Sequence, residues 1–472
     1  MATSQAASSP ASSGGSQRRR RVLMFPLPFQ GHVNPMLQLA GALRERGGLD
    51  VTVFHAAFRA PDPARRPAWC RFVPVGEGVP SGDLLPSGSD ADFAGALLRI
   101  NERLRGPFRD RLRQVLAEDG EGGAPACLVV DSNMRDMHMV AEELGVPTLV
   151  LRTGGAACLV AYMAFPGLCD KGLLPPPSQD NQGQLDMPLS ELPPLRLRDM
   201  LFSSAATHAA MAKCLERLVE SSRCSSGVLI NTFQELEDSE LQKITNGLGV
   251  PVYAIGPLHK ISSGTESSLL EQDRTCLEWL DEQETNSVLY VSFGSLASMD
   301  EKELLEIAWG LANSHMPFLW VIRHNMVQAS SEISLPDGFK EATCGRGMVV
   351  SWAPQQDVLG HRAVGGFWTH NGWNSTIESI CEGVPMISRP HFADQMINAR
   401  YVQEVWKIGF ELEGDLERGT IQKAVRKLLC EEEGREMRKR AEDLKDKSVQ
   451  CIEGRGSSDA IMNLLMKHLM SF

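Results

Sequence analysis

The segment from Trp352 to Gln395 gathers side chains with chemistry to offer. Trp352 is a flat ring on which a heterocyclic base can stack, and Ala353 and Gln355 follow it closely. His370, Gly372, Asn374 and Ser375 stand just before and at the start of a helical pattern. A glycine there lets the backbone approach a ligand closely. A helix start presents free N–H groups and the positive end of a dipole, both of which favour phosphate. Glu378, one turn further on, can accept the two hydroxyls of a ribose, and the adjacent Asp394 and Gln395 can hold several hydroxyls of a sugar. Taken singly, each has a plainer explanation. Trp352 reads as a core tryptophan, Asn374 or Ser375 as an N-cap, Glu378 as a solvated helix face, and Asp394 with Gln395 as ordinary first-turn polarity. Taken together, they equip one segment to grip a base, a diphosphate and a sugar.

Such residues need elements that deliver them to one edge. Val22–Phe25, Val51–Phe54, Cys127–Val130, Thr148–Leu151, Gly227–Ile230 and Val252–Ile255 are short apolar runs of the buried parallel-strand type. Helical spacing separates them, as over Pro35–Arg46 and Met134–Leu144. The rhythm restarts with Val288–Ser292, Phe318–Ile322, Gly347–Ser351, Gly365–Trp368 and Pro385–Ile387. The alternation predicts an α/β chain of two facing, doubly wound, Rossmann-like domains. In such sheets ligands occupy the crevice beyond the carboxyl ends of the strands. Trp352 and His370 follow strand ends directly. So do His32, expected in the turn after the first strand, and Asp131, which closes Cys127–Val130.

A chain of 472 residues with 43% hydrophobic content is too long for one ordinary core. We expect a polar leader over 1–19 with too little apolar content to fold, a first domain over 20–255 and a Ser- and Gly-rich linker over 256–271. A second domain over 272–455 and a closing helix over 456–472 complete the division. The formal net charge of −12 argues against nucleic acid or a membrane surface as partner. The 11 cysteines are odd in number and show no C-x-x-C spacing, which points to inert thiols in a reducing, cytoplasmic setting. Val22–Phe29 is broken by Pro26 and Pro28 and is too short for a secretory signal or a spanning helix.

The spacing and residue types from Trp352 to Gln395 resemble the signature box of the plant family-1 UDP-dependent glycosyltransferases. The likeness extends to Phe25-Pro26 with Gln30-Gly31-His32-Val33-Asn34-Pro35, and to Tyr290-Val291-Ser292-Phe293-Gly294-Ser295, so it covers nearly the whole folded chain. The wording is closest to the branch that glucosylates benzoxazinoids, cytokinins and steviol glycosides. The resemblance implies a two-domain fold of the GT-B type whose last helix, here Met462–Met470, crosses back to the first domain. It implies that Trp352 stacks on uracil while the Ala353 backbone pairs with it, and that Gln355 and Glu378 hold the ribose. His370, Gly372, Asn374, Ser375 and Ser295 would surround the diphosphate. Trp373, Asp394 and Gln395 would read the sugar, within reach of Thr153, and a glutamine ending the box goes with glucose.

The same resemblance implies that His32 and Asp131 act together. An acceptor hydroxyl is a poor nucleophile at neutral pH, and an imidazole can take its proton as the bond to the sugar forms. A carboxylate on the other ring nitrogen fixes the tautomer and stabilises the imidazolium. Attack opposite the leaving UDP inverts the anomeric centre, giving a β-glucoside from UDP-glucose. From the residues alone, Asp131 also reads as a cap for the helix from Met134.

Thr153 is followed by Gly154-Gly155 where the family often has small hydroxyl residues, which would enlarge the acceptor side. Phe29, Gln30, Met134, Met137, His138 and Met163 are the expected liners of that side. Asp90-Ala91-Asp92 has the D-x-D form of metal-dependent transferases, but it precedes a helical run and reads as first-turn acids. No metal and no cofactor are expected beyond the donor UDP-glucose, and a monomer is expected. Two other readings of the site are a sugar-nucleotide epimerase or hydrolase and a catalytically silent UDP-sugar-binding protein.

Overall fold

The computed structural model describes residues 20–80, 82, 84, 93–118, 125–176, 182–200, 208–262, 271–324, 326 and 335–472. The Asp90-Ala91-Asp92 tripeptide, the 1–19 leader and half of the 256–271 segment lie outside them.

Among the described residues thirteen strands form two parallel sheets. The first holds β1 (Arg21–Phe25), β2 (Asp50–Ala56), β3 (Cys70–Val75), β4 (Cys127–Asp131), β5 (Thr148–Arg152), β6 (Val228–Ile230) and β7 (Val252–Ala254), in the order β3-β2-β1-β4-β5-β6-β7. The second holds β8 (Val288–Ser292), β9 (Phe318–Val321), β10 (Gly347–Val350), β11 (Val364–Thr369), β12 (Met386–Ser388) and β13 (Gly409–Glu411), in the order β10-β9-β8-β11-β12-β13. In both sheets the order reverses beside the first strand, which opens the crevice that a doubly wound sheet offers to ligands. The expected pair of Rossmann-like units is therefore present. The central strands are buried along their whole length, as β4, β5, β8 and β11 show. They read as continuous apolar runs because helices cover both faces of each sheet.

Two strands escaped the sequence reading, β3 and β13. Both are edge strands. β3 carries Pro74 and alternates in burial, and β13 is three residues long. Pairing on one side only leaves little apolar signal to read.

The first helix is a correction. It spans Gln30–Gly47, so it starts five residues before Pro35 and places His32 in its first turn rather than in a preceding loop. Pro35 lies inside it. The proline ring removes the N–H that would bond to Gly31, and the helix tolerates the loss because the Gly31 carbonyl finds another donor, described below.

The closing helix, Ser457–Ser471, packs Met462, Leu465 and Leu469 into the core formed by the first helix, β1 and β2. The two halves also meet directly. Trp373 donates its indole N–H to the Asn231 carbonyl at 2.7 Å, Trp406 to Leu236 at 3.3 Å, and the Tyr401 hydroxyl to Glu240 at 3.1 Å. Among the described residues no helix is long and apolar enough to cross a membrane.

Candidate active site

A cavity of about 430 Å³ opens between the carboxyl ends of the two sheets. His32, Thr153, Ser295, Trp352, Ala353, Gln355, His370, Gly372, Trp373, Asn374, Ser375, Glu378, Asp394 and Gln395 all line it, and so do Phe29 and Gln30. Residues far apart in the chain are thus brought together by the strand ends and the helix starts that follow them.

On the first sheet, the His32 Nδ1 lies 2.7 Å from Asp131 Oδ2 and 2.9 Å from the Thr153 hydroxyl. Asp131 is fully buried behind the ring. Its other oxygen accepts from the Asn133 backbone N–H at 2.9 Å and from the Asn133 side-chain amide at 3.1 Å. Burial alone would raise this carboxyl, but the His32 ring and the Asn133 donors outweigh it and hold the group below the usual carboxylate range. The capping alternative fails on geometry. The helix Arg135–Glu143 has Met134 at its N-cap, and Asp131 instead closes a turn with Asn133. One carboxylate oxygen thus accepts from Asn133 and the other lies against the His32 ring.

On the second sheet, the helix Trp373–Glu382 begins one residue earlier than expected, with Gly372 at its N-cap and no side chain capping it. Neither Asn374 nor Ser375 is an N-cap. Asn374 spends its amide on the Gly31 carbonyl of the opposite half at 2.8 Å. Ser375 accepts from Gln355 at 2.9 Å. The His370 ring lies against Gly294 and Gly372, whose added Cβ atoms would fall 2.4 and 2.6 Å from its Nε2. Burial, then His391 and Arg323, push His370 down to about 3, so it is a neutral hydrogen-bonding ring at physiological pH.

Glu378 is buried, not a solvated face. Gln355 and Gln356 donate to its two oxygens at 2.7 and 2.9 Å, while burial pushes the carboxyl upward. Gln395 accepts the His391 and Phe392 backbone N–H groups at 2.8 and 3.1 Å, so its carbonyl end is anchored to its own loop. Asp394 precedes the helix Gln395–Arg400 and accepts from Asn398 at 3.3 Å.

Four expected acceptor liners are not in the cavity. Met134 and Met137 are fully buried in the core under β1 and β4. Met163 packs toward Gly247, where an added Cβ would come 2.4 Å from its methyl. His138 is fully buried, bonded to Ser221 at 2.9 Å and Thr148 at 2.8 Å. In their place the first-sheet side of the cavity is lined by Phe93 and Leu97 of the helix Phe93–Glu118, and by Met211, Leu215 and Leu218 of the helix His208–Cys224. Met211, Leu215 and Leu218 recur at one-turn spacing, so a helical pattern was there to be read. That spacing says which side of a helix is apolar and leaves open whether a core or a cavity faces it.

Residues 268–450 match the family described as UDP-glucoronosyl and UDP-glucosyl transferase. Over 462 residues the chain is 46% identical to the DIMBOA UDP-glucosyltransferase BX8 of Zea mays, which spans 96% of this chain and 98% of that one. Phytolacca americana UGT2, solved with UDP-2fluoro-glucose and pterostilbene, superposes with a TM-score of 0.79 at 28% identity, covering 96% of this chain and all 100% of that one. A UDP-glucosyltransferase from Polygonum tinctorium capable of glucosylating indoxyl, solved with 3,4-dichloroaniline, gives 0.80 at 29% identity over 96% of this chain and 99% of that one. The two parallel sheets have the GT-B fold of these glycosyltransferases. The chain belongs to the plant family-1 UDP-dependent glycosyltransferases and is a UDP-glucosyltransferase of that family.

Proposed function

We propose that the chain transfers glucose from UDP-glucose, with inversion, to a hydroxyl or amine of a small hydrophobic plant metabolite, with His32 as general base and Asp131 orienting it. The observation that carries this is the His32–Asp131 contact of 2.7 Å at the edge of a cavity lined by the whole Trp352–Gln395 set. An acceptor entering beside Phe93, Leu97 and Met211 meets an apolar wall. Its hydroxyl proton passes to the free nitrogen of His32 as its oxygen attacks the anomeric carbon, and UDP leaves on the opposite face. Asp131 stabilises the resulting imidazolium without taking the proton.

In this proposal the second sheet holds the donor. Trp352 and Ala353 receive uracil, Gln355 and Glu378 receive the ribose, and Trp373, Asp394 and Gln395 face the sugar with Thr153 opposite. The uncapped start of Trp373–Glu382, with Ser295, Gly372 and neutral His370, receives the diphosphate as a set of hydrogen-bond donors. No metal is assigned a part, and the enzyme acts as a cytoplasmic monomer. A UDP-release assay against a panel of hydroxylated and amino metabolites, with products identified by mass, tests it. Acceptor-dependent release with glucosylated products is expected. Release without acceptor would instead mark a hydrolase, and repetition with UDP-galactose tests the part given to Gln395.

A further inference from the structure

Among the described residues six other than glycine have a left-handed backbone, and two of these stand directly before positions given to the donor. Asn371, with a φ of +60°, precedes Gly372, and Ala393, with a φ of +58°, precedes Asp394. An asparagine enters this region readily, but an alanine has no polar side chain to compensate, and its methyl crowds the backbone. Such a conformation persists only where the surroundings hold it.

The restraints on Ala393 come from both sides. Ahead of it, Gln395 Oε1 accepts the backbone N–H groups of His391 and Phe392. Behind it, the Asn398 backbone N–H donates to the Asp394 carbonyl at 3.0 Å. The Asn398 side-chain amide donates to Asp394 Oδ2 at 3.3 Å and to the Asn371 carbonyl at 2.9 Å. A carbonyl and a carboxylate only accept, so the nitrogen end of the amide, with its two hydrogens, must face them. Asn398 is 2% exposed, behind the Ala393 and Asp394 that line the cavity. One buried amide therefore joins the turn that leads into Gly372 to the turn that presents Asp394.

We propose that Asn398 is a positioning residue for the donor sugar: its amide holds the strained Ala393–Asp394 turn in register with the Asn371–Gly372 turn. The assignment rests on the sugar contact proposed for Asp394. Without the amide, Ala393 is free to leave the left-handed region and the Asp394 carboxylate loses its fixed place. UDP alone carries no hexose, so the loss falls on the sugar-bearing donor.

The test measures the KM for UDP-glucose and the Kd for UDP in four proteins: the native enzyme, Asp394→Ala, Asn398→Ala, and Asn398→Ala combined with Ala393→Gly. Asn398→Ala should raise the KM about tenfold while the Kd for UDP stays within about threefold of native. A glycine adopts the left-handed conformation without steric cost. Adding Ala393→Gly should therefore bring the KM back to within about threefold of native. A general loss of structure would not be repaired by removing a methyl group. If Asn398→Ala does not fold, Asn398→Ser keeps one donor, and it should show a smaller rise in KM with the same repair by Ala393→Gly. Two results overturn the positioning role and leave the sugar contact standing: a KM raised by Asp394→Ala but not by Asn398→Ala, or a double variant no better than Asn398→Ala. If Asp394→Ala leaves the donor KM at the native value, the sugar contact itself is wrong and the role of Asn398 falls with it.

Discussion

The side-chain amide of Asn374 donates to the backbone carbonyl of Gly31 across the cleft, at 2.8 Å. That carbonyl is available because Pro35, four residues on, has no N–H to return to it. A proline that would weaken an ordinary helix thus provides the acceptor that ties the start of Trp373–Glu382 to the turn bearing His32.

Asn374→Ala leaves the Gly31 carbonyl unmatched, a loss of about 1–3 kcal/mol. We expect a lower melting temperature and a KM for UDP-glucose raised by about fivefold or more. Pro35→Ala supplies a competing N–H and should move KM the same way by less. Steady-state kinetics and thermal melting of both variants check the pair.

Gly294 has a φ of +72°, and a Cβ there would meet His370 Nε2 at 2.4 Å. Gly294→Ala should therefore cost both backbone strain, about 1 kcal/mol, and the placement of His370. UDP affinity, read by calorimetry, should fall by about tenfold or more. Gly48 provides the control, since its φ is +60° but nothing lies within 4 Å of the added atom. Gly48→Ala should lower stability and leave UDP binding alone.

The contrast between what was legible and what was not follows from these contacts. Strands such as β8 and β11 announce themselves because both faces are covered and most of their side chains are apolar. The Trp352–Gln395 segment was legible because its polar residues recur at strand-to-helix junctions, where a doubly wound sheet puts its ligands. The apolar wall of the cavity on the first-sheet side was not. Met134 and Met211 are buried methionines of similar form, one in the core and one at the cavity, and only the packing of Phe93–Glu118 and His208–Cys224 separates them. His138 misled for the same reason, since its partners Ser221 and Thr148 are distant in sequence. The start of the first helix was misplaced because Pro35 looks like an N-terminal signal, and its true compensation comes from Asn374.

His138 also carries a pH prediction. Burial pushes it from 6.5 down to about 4. Between those values the unfolded chain holds a proton that the folded chain refuses, so stability falls as pH drops through the window and is fully present above it. The slope from this one site is up to about 1.4 kcal/mol per pH unit. Urea unfolding at several pH values should show the decline, and His138→Gln should make it shallower.

Asp131→Asn keeps an acceptor for Asn133 but removes the charge facing His32. Folding and UDP binding should survive, while kcat falls by about 10²–10⁴-fold. Calorimetry with UDP, run beside turnover, separates this from a general loss of structure.

The most direct measurement is glucosyl transfer by His32→Ala with UDP-glucose and the best acceptor from the panel, taken with its UDP affinity. We expect kcat/KM to fall by about 10²–10⁴-fold while UDP binds as tightly as before. Transfer within about threefold of the native enzyme would contradict a proton-accepting imidazole at the cleft.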